Sequence, residues 1–214
     1  MNGLYVRMGF CMDYGSIGHR VINRVTGGPG HVFVEFLEKE NGDNDRFTFD
    51  STIQKDPRTK KNGVRGPLPI SVWEDWYEED PYNRHLYFIP VQYYLPLTQE
   101  EAYQALHRLT HAAHAIKYAR LQLPQNWVAN RTGIQMSWRQ GSPSRWTCSE
   151  TPVRAVIPPR YWHLIGPEHP SLQCQGGMLD NRADFIVPGG KSFMSLERGL
   201  LRIIDQFGVE DPQS

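Results

Sequence analysis

Cys148 stands in Trp146-Thr147-Cys148-Ser149-Glu150-Thr151-Pro152, where an irregular stretch gives way to a short apolar helix carrying Val153, Ala155 and Val156. The N–H groups of a first helical turn carry partial positive charge and favour an anion. A cysteine placed there is biased towards thiolate, its nucleophilic form. Far upstream, His31 opens the apolar strand His31-Val32-Phe33-Val34-Glu35-Phe36, straight after the glycine-rich turn Gly27-Gly28-Pro29-Gly30. A thiol at a helix start and an imidazole at a strand start are the minimum for cysteine nucleophilic catalysis. The chemistry would be acyl transfer. His31 holds Cys148 as thiolate, and the thiolate attacks an amide, ester or thioester carbonyl. The Cys148 N–H supplies one oxyanion donor, and the sequence does not identify a second. Water completes hydrolysis; an amine or alcohol in its place makes the same site an acyltransferase.

These two residues need a scaffold that brings them together. Residues 4–10, 31–37, 46–52 and 86–91 read as strands, the middle two joined as a hairpin across the polar turn 38–45. Residues 184–187 read as a last short strand. Residues 16–26 read as an amphipathic helix with Ile17, Val21, Ile22 and Val25 on one face, stopped by Gly27-Gly28. Thr98-Gln99-Glu100-Glu101 is a capping-box pattern opening the longest helix, to about residue 119. Pro158-Pro159 stops the cysteine helix, and residues 195–207 read as an amphipathic helix. The Pro-, Gly- and Lys/Arg-rich stretch 57–69 reads as a loop, residues 72–77 as one helical turn, and 121–145 as irregular. Together these predict an α+β domain, with one mainly antiparallel sheet packed against helices that include the nucleophile helix. No linker divides the 214 residues, so a single domain is expected, its core over about 4–190.

Composition narrows the partners. With 23 basic and 23 acidic residues the net charge is zero, which points away from nucleic acid. No window reaches the about 20 apolar residues of a membrane span. The start of the chain lacks the basic and apolar pattern of a secretion signal, so a cytoplasmic location is expected. Three scattered cysteines, Cys11, Cys148 and Cys174, do not suggest a disulfide framework. His111-Ala112-Ala113-His114 is the nearest approach to zinc spacing and has no cysteine or carboxylate beside it. No metal and no cofactor is expected.

The order of the motifs carries a resemblance. Gly30-His31-Val32-Phe33-Val34 comes first, then Phe47-Thr48-Phe49-Asp50-Ser51-Thr52 and Gly63-Val64-Arg65, and last Trp146-Thr147-Cys148-Ser149-Glu150. This resembles the circularly permuted papain-like proteins: bacterial YiiX-like proteins, relatives of NlpC-type cell-wall peptidases, and lecithin retinol acyltransferase. The resemblance covers about residues 16–157. It implies a permuted papain-like fold in which histidine precedes cysteine. It also implies a third residue on the return strand that orients the histidine, usually Glu or His. Asp50 occupies that place, one methylene shorter than Glu. Glu35, four residues beyond His31 on the same strand face, is the second candidate orienter.

The expected site is therefore Cys148, His31 and Asp50. The expected activity is a cysteine amidase or peptidase acting on a peptide, isopeptide or peptidoglycan stem. The alternatives are a lipid or small-molecule acyltransferase or thioesterase, and a non-catalytic binding or structural protein retaining the fold. Cys11 and Cys174 read as inert buried thiols. His111 and His114 read as surface or packing residues, and Glu150 as a partner of the helix dipole. Trp146 is a candidate wall of a substrate groove, and Trp127 and Trp138 are candidate core residues. The oligomeric state is not legible.

Overall fold

A computed structural model describes residues 3–11, 31–40, 43–52, 60–71, 86–89, 94–119, 144–148, 150–165 and 191–208. Strands β1 (Gly3–Cys11), β2 (His31–Glu40), β3 (Asp43–Thr52), β4 (Gly63–Pro69) and β5 (Leu86–Ile89) form one sheet in the order β4-β3-β2-β1-β5. Every pairing in it is antiparallel. Helix α1 (Gln99–Ala115) follows, then two short parallel strands, β6 (Lys117–Tyr118) and β7 (Arg145–Trp146). Helix α2 (Glu150–Ala155), a 3-10 turn (Pro159–Leu164) and helix α3 (Lys191–Phe207) complete the described chain.

The apolar residues at alternate positions of β1 and β2 explain the layering. Leu4, Val6, Met8 and Phe10 of β1, Val32, Val34 and Phe36 of β2 and Phe49 of β3 are all buried on one face. They share a core with Ala102, Ala105, Leu109 and Ala112 of α1, Val153 and Ala155 of α2, and Leu196, Leu200 and Ile203 of α3. Helix α1 lies against β1 and β4 and also touches α2. Its start is the expected capping box: the Thr98 hydroxyl accepts from Glu101 N–H, and the Glu101 carboxylate accepts from Thr98 N–H. Among the described residues no helix is long and apolar enough to cross a membrane.

Several boundaries differ from the sequence expectation. The hairpin strands run further into the polar turn, leaving only Asn41 and Gly42 between the paired Glu40 and Asp43. Asn-Gly favours two-residue hairpin connections, and this outweighs the polarity of the flanking residues. The expected loop 57–69 contains β4, an edge strand. Its glycines and two prolines are tolerated at the edge, where Gly63 and Gly66 have φ of +126° and +134°. A Cβ on Gly63 would sit 2.1 Å from the Ile116 carbonyl, so only glycine lets β4 start beneath the end of α1. Helix α1 ends at Ala115 rather than near 119, because residues 117–118 pair as β6. Helix α3 starts at Lys191, four residues before its expected position. The expected helix 16–26, turn 72–77 and strand 184–187 lie outside the described residues, as do Trp127, Trp138 and Cys174.

Candidate active site

The polar face of the sheet is built by register. Phe33 pairs with Asp50, and Asp50 pairs with Arg65, so these three project to one side; His31, two residues from Phe33, joins them. Cys11 stands opposite His31 in the neighbouring strand. The Phe33 ring lies over Gly9, where a Cβ would come within 2.0 Å of it. A side chain at residue 9 would thus displace the ring next to His31 on this face.

Asp50 is buried and its carboxylate is fully engaged. Arg65 Nε donates to Oδ1 at 2.6 Å and Arg65 Nη2 to Oδ2 at 3.0 Å. His31 Nε2 lies 2.9 Å from Oδ2. Burial pulls the Asp50 pKa up, but the Arg65 charge and the His31 hydrogen bond outweigh it, and the net shift is below 3.8. An ionised carboxylate can only accept, so Nε2 of His31 carries the proton. In neutral His31 the lone pair is then on Nδ1. The shorter side chain of Asp50 reaches the ring because strand pairing brings its backbone alongside.

Glu35 is occupied elsewhere on the same face. Arg7 donates to both of its oxygens, at 2.7 and 3.2 Å, and Arg46 Nε donates at 2.6 Å. The bond to His31 comes from Asp50.

Cys148 is buried in the turn that enters α2. That entry is a second capping box. Thr147 N–H donates to the Glu150 carboxylate, and Glu150 N–H donates to the Thr147 hydroxyl at 3.3 Å. Glu150 is thus more than a partner of the helix dipole: it caps the turn that carries Cys148, and Arg154 lies 3.4 Å from its other oxygen. The residue before the cap is pinned from two sides. The Trp146 carbonyl accepts from Ala119 N–H at 3.1 Å and from the Ser51 hydroxyl at 3.2 Å. Ser51 follows Asp50, so one strand both orients His31 and anchors the approach to Cys148. Trp146 is partly buried, and its indole N–H has no acceptor among the described residues.

Tyr118 is the site residue that sequence reasoning missed. It is buried, and its hydroxyl lies beside Cys148. Burial, the charge and hydrogen bond of Cys148, and the charges of Glu150 and Asp50 all raise its pKa well above 10. The phenol therefore stays protonated. Among the described residues no three His, Cys, Asp or Glu side chains converge as a metal site.

No protein-family model matches this chain, and neither a curated protein nor a solved structure matches it.

Proposed function

We propose that this protein is a cysteine-dependent acyl hydrolase of the circularly permuted papain-like type, with Cys148 as nucleophile, His31 as base and Asp50 as the orienting residue. The favoured substrate is an amide in a peptide, isopeptide or peptidoglycan stem. The observation that carries this reading is the 2.9 Å His31–Asp50 bond on the sheet face, with Ser51, next to Asp50, bonded to the Trp146 carbonyl two residues before Cys148.

With Nε2–H committed to Asp50, Nδ1 is the nitrogen that receives the Cys148 proton, forming a thiolate–imidazolium pair. Asp50 holds the ring and stabilises its charge. Arg65 keeps Asp50 ionised and also offsets part of its charge, so its main effect on His31 is orientation. The thiolate attacks the carbonyl carbon, and the Cys148 N–H is the oxyanion donor. His31 then protonates the leaving amine as the C–N bond breaks. Water, deprotonated by His31, attacks the thioester and releases the acid and the thiol.

The test is to trap the thioester. The protein is incubated with a small activated ester, quenched in acid and analysed by mass spectrometry. The expected result is one acyl adduct on Cys148, removed by hydroxylamine and absent in Cys148→Ala. An unmodified Cys148, or equal turnover in Cys148→Ala, would overturn the reading.

A further inference from the structure

A cleft of about 500 Å³ lies between the end of α1 and the start of β4. Its polar lining is Lys60, Lys61, Asn62, Arg65, His114 and Lys117, and among the described residues no acidic side chain lines it. The chain as a whole carries equal numbers of acidic and basic residues, 23 of each. Arg65 is already held by Asp50, so the lysines are the local concentration of charge that the cleft presents.

Basic groups near a helix C-terminus can simply answer the helix dipole. Here the helix end is closed by backbone: Ile116 N–H bonds the Ala112 carbonyl at 2.8 Å, and Val64 N–H bonds the Ile116 carbonyl at 3.2 Å. Only His114 belongs to the last turn. Lys60 and Lys61 arrive from a different segment, and Lys60 holds φ at +59°, a left-handed conformation that lysine adopts only at a cost.

We propose that this cleft binds a phosphate group. A phosphate dianion offers several acceptor oxygens and needs several donors, which the Lys60 and Lys117 ammonium groups, the Asn62 amide and the His114 imidazole can supply. A lone carboxylate would leave most of them unused. The volume falls in the range of small-ligand sites, about 300–1,000 Å³. The cleft borders the candidate site through Arg65 but does not include Cys148. Lys117 and Tyr118 are successive strand residues, so Tyr118 turns inward to Cys148 while Lys117 is exposed to the cleft. The proposal does not depend on the cysteine chemistry.

The test is titration calorimetry on the full chain with inorganic phosphate, glycerol 3-phosphate and acetate, all at matched ionic strength. Saturable one-to-one binding of phosphate, with acetate inert, is the expected result. Binding of both phosphate probes assigns a phosphate ester as ligand, and binding of inorganic phosphate alone assigns free phosphate. Lys60→Asn, chosen because asparagine tolerates a positive φ, and Lys117→Gln should each weaken binding about tenfold, the effect of one charge-assisted hydrogen bond. Cys148→Ala should bind as the parent does. No saturable heat with either phosphate probe, equal affinity in the Lys60→Asn/Lys117→Gln double variant, or equally tight acetate binding would overturn the proposal.

Discussion

Arg65 grips the buried Asp50 carboxylate from the adjacent strand through two hydrogen bonds, of 2.6 and 3.0 Å. The same carboxylate meets His31, so an ion pair that belongs to the fold also sets the ring of the proposed base. Removing the guanidinium leaves a buried charge with only the imidazole to answer it. Arg65→Leu should cost about 3–5 kcal/mol of stability. Urea denaturation measures this, and a loss under about 1 kcal/mol would show that water or another cation already serves Asp50.

Acid should dissolve the same pair. Asp50 titrates below 3.8, because Arg65 and His31 outweigh the upward pull of burial. A depressed carboxylate contributes stability that is fully present above its unfolded pKa, about 3.9, and lost as pH falls through the lower folded value. The stability difference between the parent and Asp50→Asn should therefore shrink below about pH 4. Denaturation at pH 7 and at pH 3 measures the two differences; equal values would contradict the shift.

The Thr147–Glu150 capping box should matter to both fold and nucleophile. Thr147→Ala should cost about 1 kcal/mol, whereas Thr147→Ser should retain most of the cap. Slower alkylation of Cys148 in the alanine variant should accompany the lost stability. A stability equal to the parent's would show that the turn holds without the box.

Tyr118→Phe removes the hydroxyl beside Cys148 and keeps the buried ring. Alkylation at pH 6 should slow about tenfold, as expected for one lost hydrogen bond to a charged group. Circular dichroism should be unchanged. A rate equal to the parent's would remove Tyr118 from the site.

What the sequence reveals of this molecule follows the length of its signals. The alternation in β1 and β2 repeats over many residues, and the Thr98 cap has both of its partners in sequence. The pattern Thr147-Cys148-Ser149-Glu150 carries that same cap signature, but helix-dipole reasoning alone explains Glu150 and hides it. β4 is obscured because its Gly and Pro are loop signals everywhere except at a sheet edge. Tyr118 is not legible at all. Its role depends on a two-residue pairing with Trp146, 28 positions away, too short for any periodicity. Arg65 is visible as part of a motif, but its grip on Asp50 needs the β3–β4 register.

The most direct measurement is the rate of Cys148 alkylation by iodoacetamide across pH 5 to 9 in the parent, His31→Ala and Asp50→Asn. If His31 holds the thiolate, the parent reacts faster at pH 6 than a model thiol does. His31→Ala should then lose that advantage, and Asp50→Asn should lose part of it, because it acts only through the ring. Superimposable curves for the three proteins would mean that Cys148 does not sense His31, and the assignment of a cysteine–histidine site would be withdrawn.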